Sequence, residues 1–170
     1  KFNIKSFLDI GCGKGGMVFY ALFKDLHARG VEGDLSSIPI DCPLIYNIDY
    51  RKSSLNHPFC FDLGWSIEAL EHIPENCLEN VFKDFVNCKY IIFTAAPKGW
   101  GGVGHVNEQN EDYWLDKFNK LGFVLDMKTT LEIREISQIN FKGIVRSEKK
   151  QFIKNRGLFM KNSKLLKSTF

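Results

Sequence analysis

Short apolar runs alternate with amphipathic stretches along most of the chain. Residues 6–10 (SFLDI) have the pattern of a short buried strand. Residues 16–30 (GMVFYALFKDLHARG) have helical periodicity that Gly30 is expected to end. Val31 and Glu32 close a second short strand, and residues 43–48 (PLIYNI), introduced by Pro43, form a third. Residues 60–66 (CFDLGWS) read as a fourth strand, followed by a helix over 75–88 with Pro74 at its entry. Residues 89–97 (KYIIFTAAP) are the fifth strand, stopped by Pro97. A glycine-rich loop over 98–110 (KGWGGVGHVNEQN) then runs into a helix over 111–123 (EDYWLDKFNKLGF). Residues 124–130 (VLDMKTT) read as strand, a charged helical stretch follows, and residues 157–162 (GLFMKN) read as a last strand. Strands alternating with helices predict an α/β domain over residues 1–170, doubly wound around a mainly parallel sheet.

With 170 residues, 44% hydrophobic and 25% charged, the chain is the size of one domain with a sizeable core. Its apolar stretches are too short to span a bilayer, so no membrane partner is expected. The opening residues KFNIKSF lack an apolar core behind their charges, and no export signal is read there. The chain begins almost on a strand, and residues upstream are expected to be missing. Five scattered cysteines without a CxxC pair suit a reduced, cytoplasmic protein better than a disulfide framework or a zinc site. The net charge of +3 hides an asymmetry: residues 148–170 carry +6, leaving −3 for the rest. A solvated terminal segment is the preferred reading of that basic tail over a phosphate-binding one.

The chemistry starts at "SFLDIGCGKGG". Gly11, Gly13, Gly15 and Gly16 follow the first strand, where missing Cβ atoms permit a tight turn and a ligand touching the backbone. Such a loop is shared by nicotinamide, flavin and other sites, and Lys14 lacks the spacing of a P-loop. Asp9, two residues before the first glycine, would repel a pyrophosphate but accept hydrogen bonds from an ammonium group. S-adenosylmethionine (SAM) carries an ammonium and no phosphate; a turn-capping Asp9 is the alternative. Glu32, at the end of the second strand, is placed to accept two ribose hydroxyls, with Asp34 its competitor. Asp49 could accept an adenine amino group, beside the backbone N–H of Tyr50.

In order, "FLDIGCGKGG", "VEGD", "NIDY" and "FDLGWSIEALEHIPE" resemble successive motifs of the class I SAM-dependent methyltransferases. The resemblance runs over residues 6–126, including "GHVNEQNEDYWLDKFNKLGF". It implies a Rossmann-like seven-stranded sheet with one antiparallel strand near its edge. It also implies SAM as cofactor, held by Asp9, Gly11, Gly13, Glu32, Asp49 and the Tyr50 backbone; Gly15 of the same loop and the Ser66 backbone are the further expected contacts. The start so close to the first strand puts in doubt the helix that usually covers the SAM pocket.

Methyl transfer needs an acceptor aligned with the sulfonium and, for a hydroxyl, a proton acceptor. His105, His72 and Glu68 are the catalytic candidates. His72 as an ordering residue and His105 as a surface residue are the structural alternatives. Glu68, Glu71, His72 and His105 also resemble the ExxEH-plus-histidine set that binds a divalent metal in small-RNA 2′-O-methyltransferases. No metal ligand is assigned from the sequence, since ExxEH also occurs without metal. Trp65, Trp100, Tyr113 and Trp114 are candidates to line an acceptor pocket, with Trp100 preferred and Trp114 expected in the core. The favoured activity is methyl transfer to oxygen on a small-molecule or sugar acceptor. Alternatives are a metal-assisted RNA ribose 2′-O-methyltransferase, with nucleic acid as partner, and a non-catalytic SAM-binding or interaction module. A nicotinamide-dependent oxidoreductase is opposed by Asp9 and by the missing Tyr-x-x-x-Lys pair.

Overall fold

The computed structural model describes residues 2–40, 42–137 and 151–167. In chain order they form β1 (Ser6–Ile10), α1 (Gly16–Phe23), β2 (His27–Glu32), β3 (Ile45–Asn47), β4 (Phe61–Ile67), α2 (Leu78–Phe85), β5 (Cys88–Thr94), α3 (Glu111–Leu121), β6 (Phe123–Leu125), α4 (Met127–Ile136), α5 (Phe152–Arg156), β7 (Leu158–Asn162) and α6 (Ser163–Lys167). The strands make one sheet in the order β3-β2-β1-β4-β5-β7-β6. All neighbours run parallel except β7, which is antiparallel to both β5 and β6, one place in from the edge.

Strand alternation divides the core between the two faces. Leu8 and Ile10 of β1 join Val81 and Phe85 of α2 and Trp114 and Phe118 of α3 on one face. Phe7 packs with Val18 and Ala21 of α1 and Ile153 of α5 on the other. Phe118 is the hub of the first face, its ring in contact with Phe82, Phe85, Phe93 and Phe123. Trp114 is buried there as expected, while Trp65, 9% exposed, lies in the opposite core against Phe7 rather than at an acceptor pocket.

Two predicted elements are corrected. The helix expected to reach Gly30 ends after Phe23, because Asp25 adopts a left-handed conformation (φ 59°) that turns the chain back into β2. His27 therefore lies on a strand. Gly30 is a packing glycine: a Cβ there would stand 2.6 Å from Cys12 Sγ and 2.9 Å from Val18. The strand expected over 124–130 stops at Leu125, where Asp126 caps α4 by accepting the Thr129 N–H at 3.0 Å and its hydroxyl at 2.8 Å. The charged helical stretch is α4 up to Ile136, and its continuation lies outside the described residues, as does part of the basic tail. Among the described residues, no helix is long and apolar enough to cross a membrane. All five cysteines are free.

Candidate active site

The strand order reverses between β1 and β4, which places a ligand crevice beyond their carboxyl ends. A cleft of about 670 Å³ lies there, within the usual size of a cofactor pocket. Gly11 and Gly13 form its floor. Glu32, Gly33 and Leu35 stand on the β2 side, Asp49 and Tyr50 on the β3 side, and Glu68, Ala69 and His72 on the β4 side. Gly11 has φ 76°, and a Cβ on it would collide with the Ala69 side chain, so two strand ends meet only through a bare backbone.

Glu32 stitches this floor together. Its carboxylate accepts the Gly13 N–H at 2.7 Å and the Asp34 N–H at 2.8 Å, while Gly11 and Cys12 donate to the Val31 carbonyl. Asp34 is occupied elsewhere, accepting the Ser36 N–H and the hydroxyls of Ser36 and Ser37 in the turn it caps. Both acids line the cleft, Glu32 fastening its floor and Asp34 holding its own turn. Asp49 accepts the exposed Arg51 guanidinium through both oxygens, each at 2.9 Å. The Tyr50 side chain is buried in the core, and Asn80 donates to its carbonyl at 2.9 Å.

Five of the eight predicted cofactor residues line the cleft: Gly11, Gly13, Glu32, Asp49 and Tyr50. The other three stand outside that lining. Gly15 abuts β3, where a Cβ would meet the Ile45 side chain at 2.5 Å. Ser66 is wholly buried within β4, its hydroxyl without a partner, and Glu68 and Ala69 take the lining position. Asp9 sits just behind the floor, 4% exposed; burial and the nearby Glu32 charge push its carboxyl up to about 8. Arg51, Leu35, Ser37 and Ile73 line the cleft without having been singled out in the sequence, which carries no motif for them.

Beyond the β4 end, Glu71, His72 and His105 come together with potential ligand atoms all within 4.8 Å of one another. Glu71 is fully buried; its carboxylate has no well-aligned hydrogen-bond partner, with the backbone N–H groups of Glu71 and Ala96 nearest to it. Burial, followed by the charge of Glu68, raises its carboxyl to about 7. Its carbonyl accepts the N–H groups of Val106 and Asn107 at 2.9 and 3.0 Å, which docks the loop after β5 against the turn after β4. The loop is therefore tied down rather than free to swing. Glu108 also accepts the Gly101 N–H at 2.7 Å, and a Cβ on Gly102 would strike the His105 ring.

The two histidines are oriented alike. His72 Nδ1 lies 3.1 Å from the Gly104 carbonyl, and His105 Nδ1 lies 2.7 Å from the Glu108 carboxylate. Both partners are acceptors, so each Nδ1–H is the donor, which leaves the lone pair of the neutral ring on Nε2. A carbonyl or carboxylate behind a histidine in this way fixes the ring and raises its basicity as a ligand.

Glu68 stands apart from this trio. It accepts the Thr94 hydroxyl at 2.7 Å and pairs with Arg156 of α5 at 2.7 Å. Trp100, 37% exposed, lies beneath the Arg156 guanidinium. Tyr113 points away from the cleft, donating its hydroxyl to Glu75 at 2.9 Å.

No protein-family model matches the chain, and no curated protein matches it. Solved structures do. The methyltransferase domain of bacterial CtHen1-CN is 16% identical, with a TM-score of 0.54 over 93% of this chain and 89% of that one. Magnesium protoporphyrin IX methyltransferase from Synechocystis PCC 6803 with bound SAM gives 14% and 0.59 over 92% and 69%. The fold is that of the class I SAM-dependent methyltransferases. A SAM-dependent methyltransferase from Archaeoglobus fulgidus adds a match of 13% identity and TM-score 0.55 over 93% and 85%. The single antiparallel strand near the sheet edge, expected from the resemblance to class I methyltransferases, is β7.

Proposed function

We propose that the chain is a SAM-dependent methyltransferase that acts on a hydroxyl of a small-molecule or sugar acceptor. The observation that carries this reading is the buried Glu71 carboxylate, without a well-aligned hydrogen-bond partner, beside two ring-oriented histidines, one of which lines the glycine-floored cleft. SAM supplies an electrophilic methyl group. The chain's own residues hold it, with Gly11 and Gly13 against its methionine part, Glu32 toward the ribose, and Asp49 with the Tyr50 backbone toward the adenine. Asp9 behind the floor receives the cofactor's ammonium group through its carboxylate.

One carboxylate oxygen of Glu71 and one ring nitrogen from each of His72 and His105 form a donor set of oxygen and imidazole that suits Zn²⁺ or Mn²⁺ better than Mg²⁺. Glu71, His72 and His105 would hold such a cation, which would supply a Lewis acid for the acceptor oxygen. Without it, His72 Nε2 at the cleft wall is the proton acceptor. A ribose 2′-hydroxyl within RNA is the second reading, favoured by this cation cluster in an ExxEH frame. Transfer of label from methyl-labelled SAM to sugars, nucleosides and RNA, with and without chelator, tests both. Labelled sugar or nucleoside supports the first reading, RNA labelled alone supports the second, and no transfer to any hydroxyl acceptor overturns both.

A further inference from the structure

Four carboxylates line the cleft, those of Glu32, Asp34, Asp49 and Glu68. Two of them are countered by an arginine, in unlike settings. Asp49 is paired by Arg51, whose side chain is 67% exposed and whose charge solvent screens. Glu68 is paired by Arg156 of α5, 88 residues further along, at 2.7 Å, and these two side chains are only 16% and 18% exposed. The Arg156 guanidinium lies over two rings, 4.4 Å from the centre of Trp100 and 5.5 Å from that of Phe152. Thr94 holds the other oxygen of Glu68 through its hydroxyl at 2.7 Å, and its carbonyl accepts the Glu68 N–H at 3.2 Å. The bridge is thus fixed at both ends. Ala69, next in the chain, abuts Gly11 so closely that a Cβ on that glycine would collide with it. The Glu68–Ala69 turn therefore stands against the stretch of floor given above to the methionine part of SAM. SAM carries a sulfonium cation in that part, and its demethylated product has a neutral sulfur there. A shielded charge in this wall acts on the first ligand far more than on the second.

Resting on the SAM reading above, we propose that the Glu68–Arg156 bridge sets how strongly the cleft prefers SAM over its demethylated product. Glu68 favours the sulfonium, and Arg156 tempers that preference by neutralising the carboxylate from behind. Arg156 is in this sense a specificity-determining residue that acts through Glu68. With the bridge intact the wall is close to neutral, and the two ligands are separated mainly by the remaining acids of the cleft. Loss of either partner leaves one uncompensated charge, and the sign of that charge decides which ligand gains.

Calorimetric titration of the full chain with SAM and with its demethylated product reads the ratio of the two affinities. Arg156→Gln is expected to move that ratio toward SAM by roughly fivefold, the order expected of one unit charge beside a partly hydrated cleft. Glu68→Gln is expected to move it toward the product by about the same factor, since Arg156 then stands uncompensated. The double variant should return the ratio to within about twofold of the unaltered chain, and Arg156→Lys, which keeps the charge, should leave it there. A ratio unmoved in either single variant, or both ligands weakened alike, overturns the proposal and leaves the bridge a structural tie. Where one single variant fails to fold, the other decides alone, and a ratio that holds or moves the opposite way overturns the proposal. Failure of the unaltered chain to bind either ligand overturns the SAM reading itself, and the proposal with it.

Discussion

The Glu32 carboxylate accepts the amide proton of Gly13 at 2.7 Å across nineteen residues of sequence. The acid that would face the ribose is thus also the fastener of the glycine floor, and its second oxygen holds Asp34. Glu32→Ala is therefore expected to weaken binding of SAM and its demethylated product by about 1.5–3 kcal/mol, the usual worth of hydrogen bonds to a charged group. Asp34→Ala loosens only the turn it caps and should cost less. Calorimetric titration of both variants checks the order, and the reverse order moves the ribose contact to Asp34.

Asp9 predicts a pH dependence. Burial holds its carboxyl at about 8 in the folded chain against an ordinary value of 3.8, so the folded state keeps a proton that the unfolded state has released between those pH values. Stability from this group is present at low pH and lost as pH rises toward 8. Asp9→Asn mimics the protonated form and should raise the stability of the ligand-free protein at pH 8 by more than about 1 kcal/mol, or about 2–4 °C in Tm. The gain should vanish near pH 4. The same variant should lose most of its SAM affinity, because the amide cannot supply the ammonium's counter-charge. Melting curves across pH, with and without SAM, measure both effects.

Glu108 orients His105 from behind and fastens the loop through Gly101. Glu108→Ala is expected to weaken Mn²⁺ binding by about 10–100-fold, the typical cost of losing such a supporting partner. SAM affinity should stay within about twofold, because neither Glu108 nor His105 lines the cofactor cleft. Parallel titrations with Mn²⁺ and SAM check the separation, and equal losses in both would place the loop in the cofactor site instead.

The first strand, the glycine floor and the order of the acids were legible in the sequence because each depends on local rules: a short apolar run, residues without Cβ, and polar residues at strand ends. The helix running to Gly30 was misread because a glycine after an amphipathic stretch resembles a helix terminator. Its real cause is the contact with Cys12 and Val18, which only the folded chain brings about. The run Thr129–Thr130 looked like strand by its β-branching, but the Asp126 cap decided the outcome. At the site, the ExxEH spacing suggested four acting together, whereas the structure divides them. Glu68 is taken by an arginine 88 residues away, a pairing that no local pattern encodes. The withdrawal of the Glu71 carboxylate from solvent is likewise a property of the fold and not of spacing.

The cleft between β1 and β4 is proposed as the place where SAM binds. Ligand-dependent melting tests it most directly. A ligand present at ~100 times its dissociation constant adds about 2.7 kcal/mol of stability, which corresponds to roughly 5–11 °C in Tm for a chain of this size. SAM and its demethylated product are expected to produce a shift of that order, and NAD⁺ or NADH none. Equal or greater stabilisation by the nicotinamide cofactors, with no response to SAM, would contradict the account.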